Sequence, residues 1–381
     1  MNIAMFTETF LPLTDGIVTR LKHTIDILLE EGHQVMLFAP ERGLNRYSQA
    51  EIVGLKGIPL IIYPEKQISF PSFRIRQKLN HFKPDLIHAV NPINIGAFGV
   101  YYARRLGIPL ISSYHTNVAT YTRYYRLGFL EPITWSVIRF LHNQSFLNLA
   151  TSASMVQELR QQGIRRLRLW ERGVDRQQFG PQFSHPEMRQ RLSGGHPEKL
   201  IFLYVGRLGP EKGLERLRPV LDLSPDVCLA FVGDGPARPA LEKHFHGTAT
   251  SFLGMLHGQE LAEAYASSDV FLFPSTSETL GLVLMEAMAS GLPIIAADSG
   301  PTRELLQDGH SALLFSPEQP QELKAAARKL LEQPALREQL GKQAFRLAEN
   351  LDWRKPTIQL IRYYEKTVAL HTRFAKKRRK T

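Results

Sequence analysis

Two cations share one glycine-punctuated loop, Arg207 and Lys212 in VGRLGPEKG, which follows an apolar run and precedes a helical one. Such a pair suits a diphosphate, whose charge must be neutralised both while bound and as it departs. Further along, SETLGLVLMEAMASG carries two carboxylates, Glu278 and Glu286, on either side of Gly281. A helix turns once in ~3.6 residues, so this spacing does not return the two acids to one face, and a paired-acid site on a single helix is not implied. The pattern instead describes a loop that wraps a ligand: amides of Leu280, Gly281 and Leu282 at a helix start meet a phosphate, and Glu286 accepts from both hydroxyls of a ribose. Each feature alone also has a plainer reading, the first as a solvated basic turn and Glu286 as an acid reaching solvent. No Asp-x-Asp occurs, and no His/Asp/Glu cluster has ligand spacing. Side-chain cations are therefore the natural substitute for a metal, and neither metal nor cofactor is expected.

In the first half, TETFLPLTDG ends at Asp15 and Gly16 just before a helix-like run, where a glycine lets backbone approach a ligand and helix-start amides favour an anion. A simple turn accounts for the same residues. Arg20, about one helical turn after Gly16, is a candidate cation for the same region. His115, in SSYHTN, stands at the end of a strand-like run; as a lone histidine it fits a structural role as well as a ligand contact.

The elements that must hold these residues alternate in type. IAMF, QVMLF, DLIHAV and PLISSYH read as short buried strands between amphipathic segments such as TRLKHTIDILLEEG, with Leu21, Ile25, Leu28 and Leu29 on one face and Gly32 as C-cap. LIFLYVG, VCLAFVGDG, DVFLFPS and LPIIAADSG repeat the pattern in the second half. The fold class is α/β, two doubly wound domains with parallel sheets. Ligands of such sheets bind beyond the carboxyl ends of strands, where the residues above stand.

The run ETLGLVLME resembles the spaced acidic pair of the retaining glycosyltransferases of family 4, and VGRL-x-PEKG, VGDGP and FLG-x-L of that family occur with it in order. The likeness spans nearly the whole chain. It implies a GT-B fold of two Rossmann-like domains facing across a cleft, acceptor mainly on the first and donor mainly on the second. By the same resemblance Arg207 and Lys212 match the diphosphate clamp, Glu286 the ribose-binding acid and Glu278 the acid beside the donor sugar. The helix-start amides after Thr279 match those reaching phosphates and sugar hydroxyls, and Met255 or Leu256 the backbone that meets the base. His115 matches the histidine that contacts the transferred sugar, and Gly16 the glycine of the first loop. FTETFLP, DGIVTRL, SSYHTN, FLHNQSFLNLATSASM and LRLWERGVD are similar to the synthases that attach sulfoquinovose to diacylglycerol. That likeness implies UDP-sulfoquinovose as donor, diacylglycerol as acceptor and an anionic membrane surface as partner. A sulfonate at the sugar's C6 would then need a cation, for which Arg20 is the candidate.

The implied division is 1–172 for the first domain, 173–198 as a linker, 199–351 for the second domain, 352–371 as a helix crossing back to the first, and 372–381 as a disordered basic tail. At 381 residues, 43% apolar and 22% charged, the chain suits two folded domains. The net charge of +11 is uneven, +7 over residues 1–171, −3 over 172–365 and +7 over 366–381. ISFPSFRIRQK and YTRYYRLGFL combine aromatic and basic residues and are candidates for an anionic bilayer surface. A single cysteine, Cys228, an N-terminus that does not read as a signal peptide and the lack of a long apolar run suggest a cytoplasmic protein, peripherally attached to a membrane. VGDGPARPAL invites comparison with a dinucleotide-binding loop, but Arg238 replaces the third glycine and no ribose-reading acid follows ~20 residues on. Nucleic acid is not expected as a partner, because the second half is net acidic and carries no recognition motif.

Overall fold

The computed structural model describes residues 1–60, 63–117, 119, 128–276 and 278–378, with the side chains of 60, 63–66 and 374–378 left aside. The chain divides into two compact units, Met1–Arg172 with the chain from Trp353 onward, and Gly173–Asp352.

The first unit is built on a sheet of order β10-β9-β8-β7-β1-β2-β4-β3. Its strands are β1 (Asn2–Thr7), β2 (Gln34–Pro40), β3 (Arg46–Tyr47), β4 (Ala50–Leu55), β7 (Leu86–Val90), β8 (Leu110–Tyr114), β9 (Leu147–Ala150) and β10 (Leu167–Leu169), while β5 (Gly57–Leu60) and β6 (Tyr63–Ser69) pair separately. All pairs in the large sheet are parallel except β3 with β4. β1, β7 and β8 are buried on both faces, which is why they read as continuous apolar runs rather than alternating ones. Strand order reverses between β1 and β7, so the loops leaving these two strands border the crevice where such sheets bind ligands.

In the second unit β11 (Leu200–Val205), β12 (Val227–Val232), β13 (Thr250–Gly254), β14 (Val270–Phe273), β15 (Ile294–Ala297) and β16 (Leu313–Phe315) form a parallel sheet of order β13-β12-β11-β14-β15-β16. Here the order reverses between β11 and β14. The loops that leave them are the cationic VGRLGPEKG and the acidic segment after FLFPS.

Two segments differ from the sequence expectation. Residues 173–198 are not an unstructured linker: they hold the helix Pro186–Leu192, which buries Met188 and Leu192, and Arg189 from that helix donates to the carbonyls of Pro197, Ser267 and Lys199. The anchoring is largely polar, so no apolar period announced it. Nor do residues 372–378 form an irregular tail, since the closing helix runs from Arg354 to Arg378. Ala, Lys and Arg are strong helix formers and extend an existing helix at little cost. Residues 379–381 lie outside the described residues.

The closing helix is part of the first unit's core. Leu360, Ile361 and Tyr364 pack with Ile3, Leu21, Ile25 and Trp170. The Trp170 indole N–H donates to the Pro356 carbonyl (3.1 Å), and the Tyr363 hydroxyl to the Leu169 carbonyl (3.1 Å). Leu360 is fully buried. Leu360→Ala should therefore destabilise the first unit by about 2–5 kcal/mol, read as a lower urea midpoint for that unit with the second unit's transition unmoved.

Candidate functional site

The second unit brings together most of the residues singled out there. Lys212 forms an ion pair with Glu278 across the two switch-point loops, and Arg207 pairs with Glu211 within its own loop. Lys212 and Glu211 are buried, so both cations are held in place before any ligand arrives. Glu211 lies in the VGRLGPEKG motif, between the two cations. Its buried carboxylate fixes the Arg207 guanidinium, and its Oε2 has no hydrogen-bond partner among the described residues. The only forewarning was an acid one residue before the lysine.

Gly281 has φ 71°, a left-handed conformation natural to glycine, and it starts the helix Leu282–Ala289, whose first amides no side chain caps among the described residues. That helix start, with two cations on the neighbouring loop, has the dipole and hydrogen-bond chemistry that suits an anion. Thr279 and Leu280 are buried beside it, and Ser277 lies outside the described residues. Glu286 does not reach solvent. It is buried and accepts from the Tyr265 hydroxyl (2.7 Å), and burial pushes its carboxyl up to about 7, against the opposing pull of that hydrogen bond. Tyr265 is a partner the sequence did not reveal. Leu256 is buried and Met255 half-exposed, just beyond the end of β13.

The first unit is chemically different at its switch point. Asp15 caps the helix Gly16–Glu30, its carboxylate accepting from the amides of Ile17 (3.0 Å) and Val18 (2.9 Å), while the Thr9 hydroxyl donates to its other oxygen (3.1 Å). The Asp15 carboxylate thus takes the amides of Ile17 and Val18 for itself, and Gly16 is the first residue of the capped helix. Glu8 does the same for the next helix, accepting from the amides of Ile93, Asn94, Ile95 and Gly96. Carboxylates thus take the first amides of the two helices that follow β1 and β7, the strands at this unit's switch point.

Arg20 is also placed differently from the expectation. It is fully buried, with its guanidinium 3.6 Å from the Trp170 ring centroid and Nη2 donating to the carbonyls of Trp170 (3.2 Å) and Glu171 (2.6 Å). Nε and Nη1 are buried without hydrogen-bond partners among the described residues. The side chain lies on the core face of its helix beside Leu21 and Thr24, and no part of it is open to a ligand. His115 is buried at the end of β8, its Nε2 2.8 Å from Ser113 Oγ. Asn91 holds the backbone there, its Oδ1 accepting from the amides of His115 and Thr116 (both 3.3 Å). Burial, reinforced by the Arg20 charge, depresses the imidazoles: His88 falls to about 3 and His115 well below its ordinary value. Both are neutral at physiological pH.

With this geometry in place, the comparisons decide the family. Residues 14–178 match the model described as Glycosyltransferase Family 4, and residues 188–347 the model described as Glycosyl transferases group 1. The chain is 40% identical over 370 residues to the sulfoquinovosyl transferase of Arabidopsis thaliana, covering 94% of this chain and 72% of that one. This chain is a family 4 glycosyltransferase of GT-B fold. It is also 35% identical over 322 residues to a GDP-mannose-dependent alpha-mannosyltransferase of Mycobacterium tuberculosis, covering 83% of this chain and 84% of the relative. Among solved structures, the Anabaena protein HepE in complex with UDP-glucose superimposes with a TM-score of 0.78 at 20% identity, over 96% of this chain and 100% of that one. As a family 4 enzyme the chain transfers a sugar, and the cations, open helix start and buried Glu286 are the residues with which its second unit can hold a nucleotide diphosphate. Among the described residues no group of three or more His, Cys, Asp or Glu side chains is placed to hold a metal ion.

The elevated Glu286 carboxyl carries a pH signature. Between its ordinary value of 4.5 and about 7 the folded chain holds a proton that the unfolded chain has lost. Its contribution to stability is therefore greatest at the acidic end and falls as pH rises through about 7, by roughly 3 kcal/mol in all. Glu286→Gln should flatten this slope in a pH series of urea midpoints, and an unchanged slope would show that the carboxyl is ionised throughout.

Proposed function

We propose that the enzyme moves sulfoquinovose from UDP-sulfoquinovose to diacylglycerol, with retention at the anomeric carbon and without a metal. The observation that carries this reading is the 40% identity, over 94% of the chain, to a sulfoquinovosyl transferase. A mannosyl reading is favoured by the 35% identity to the GDP-mannose-dependent enzyme, which is lower than the 40% to the sulfoquinovosyl transferase. Purified protein offered UDP-sulfoquinovose, UDP-glucose and GDP-mannose against diacylglycerol, with nucleotide release followed, separates them; turnover of GDP-mannose alone overturns the proposal.

In this mechanism the departing UDP carries the developing charge, and Arg207, Lys212 and the amides at Leu280–Leu282 stabilise it. Retention follows if the acceptor hydroxyl attacks from the face that UDP leaves. Ribose hydroxyls donating to Glu286 favour its ionised form, so UDP binding near neutral pH releases a proton. Removing one such cation costs ~2–4 kcal/mol, so Lys212→Ala should lower kcat roughly 10²- to 10³-fold, while EDTA leaves the wild-type rate unchanged. Inhibition by EDTA that Mg²⁺ reverses would refute the metal-free mechanism.

A diacylglycerol acceptor stays in its bilayer, and no helix among the described residues is long and apolar enough to cross one. The first unit instead exposes apolar side chains beside cations. Phe73 is 96% exposed next to the exposed Arg74 and Arg76, and Phe129, Ile133 and Phe140 are 74%, 61% and 63% exposed. On the helix Glu131–His142, Ile133, Val137 and Phe140 form one stripe at helical spacing, with Arg139 exposed beside them. Of the YTRYYRLGFL segment, residues 121–127 lie outside the described residues. This is the surface we assign to an anionic bilayer. Ile133→Asp should weaken binding to vesicles containing anionic lipid by about tenfold with no loss of thermal stability, because a side chain already in water is replaced. Binding indifferent to both lipid charge and salt would remove the electrostatic part of the assignment.

A further inference from the structure

A chain of buried polar groups runs through the first unit, from the closing helix to His115. The Tyr364 hydroxyl lies 2.7 Å from His88 Nδ1, His88 Nε2 lies 2.8 Å from Ser113 Oγ, and the same Oγ lies 2.8 Å from His115 Nε2. All four side chains are buried, and Trp170 packs against both imidazole rings. None of these contacts was foreseen from the sequence, where the members lie up to 276 positions apart.

The polarity of such a chain follows from counting protons. Ser113 has one hydroxyl hydrogen, so it donates to one imidazole and accepts from the other. His88 Nδ1 is the only hydrogen-bond partner of the Tyr364 hydroxyl among the described residues. If Tyr364 accepted from His88, its own hydrogen would be buried with no acceptor, at the full cost of desolvation. Tyr364 therefore donates to His88 Nδ1, His88 Nε2–H donates to Ser113 Oγ, and the Ser113 hydroxyl donates to His115 Nε2. The proton of the neutral His115 ring is left on Nδ1.

We infer that Tyr364, His88 and Ser113 form a relay that fixes His115 in the Nδ1-protonated tautomer, so that the closing helix positions the histidine that meets the transferred sugar. The tautomer rests on the geometry above; its effect on turnover also rests on the reading of His115 as a sugar contact. Tyr364, His88 and Ser113 act through His115 and are positioning residues.

Long-range ¹H–¹⁵N correlation spectra of the full chain labelled at histidine ring nitrogens test the relay directly, with signals assigned by their loss in His88→Gln and His115→Asn. In wild type His88 should be protonated at Nε2 and His115 at Nδ1; His115 protonated at Nε2 overturns the proposal without any variant. In Tyr364→Phe the fixed end of the chain is gone, and both rings should shift towards a mixture of tautomers. Unchanged spectra in that variant overturn the role of Tyr364. With UDP-sulfoquinovose and diacylglycerol, kcat of Tyr364→Phe should fall about 2- to 10-fold, the worth of one hydrogen bond, with the Kd for UDP unchanged. A tautomer shift with undiminished turnover would overturn the sugar-contact reading of His115 and the catalytic half of the inference, while the spectra still establish the relay.

Discussion

The backbone of the loop after β12 lies directly against the backbone of the loop after β11, and the arrangement of the second unit's strand-end loops depends on that approach. A Cβ at Gly233 would stand 2.0 Å from the Gly206 carbonyl oxygen, and one at Gly235 would stand 2.5 Å from that of Leu208. Neither space admits a side chain. The contact is locked by the Leu208 amide donating to the Asp234 carbonyl (2.9 Å) and the Ala237 amide to the Leu208 carbonyl (2.8 Å), while the Gly233 amide donates to the Gly254 carbonyl (2.7 Å). Three strand-end loops are thereby stacked by main chain alone. Arg207 and Lys212 leave from the first of them and Met255 and Leu256 from the third, so the cations and the proposed base contact are fixed by the same bonds.

Onto this scaffold the charges are arranged by sign. In the second unit an uncapped helix start faces loops whose cations are each paired with a carboxylate. Pairing keeps buried cations from being left without a counter-charge, which would cost several kcal/mol, and it holds their side chains in place. In the proposed mechanism an arriving diphosphate would meet groups already oriented and compete for them as the stronger, multiply charged acceptor. The first unit uses acids for the opposite purpose. Glu8 and Asp15 cap the helices that follow β7 and β1, so the positive ends of those two dipoles hold side chains of the protein itself.

Burial sets the protonation of the remaining groups. Glu286 is poised near neutrality and the histidines are held neutral, in each case chiefly because a low-dielectric surrounding disfavours the charged form. Arg20 remains as the buried cation among them, stacked on Trp170 and anchored to the backbone at Trp170 and Glu171. Its charge adds to the depression of both His88 and His115. A residue that reads in sequence as a candidate anion contact therefore acts in the fold on the histidines beside it.

Local pattern determined a good deal. Apolar runs such as LIFLYV and VCLAFV specify doubly buried parallel strands, because nothing else buries both faces of so short a segment. Glycines and charges at their carboxyl ends specify where ligands go, since strand-end loops border the crevice of a doubly wound sheet. Arg207, Lys212 and Glu278 stood out as candidates for that reason. What the sequence did not carry was any pairing made across distance. That Tyr265 donates to Glu286, that Asn91 holds the backbone at His115 and that Tyr364 reaches His88 depend on which elements become neighbours, and no local spacing encodes that. Direction was hidden as well: periodicity placed Arg20 on the first helix, but only packing turned its guanidinium under Trp170, where burial and a neighbouring ring replace solvent. Sequence thus determined which chemistry each loop can offer, and tertiary structure decided which charges are already spent on one another, because desolvation and partner choice are properties of the assembled surroundings and not of a residue or its chain neighbours.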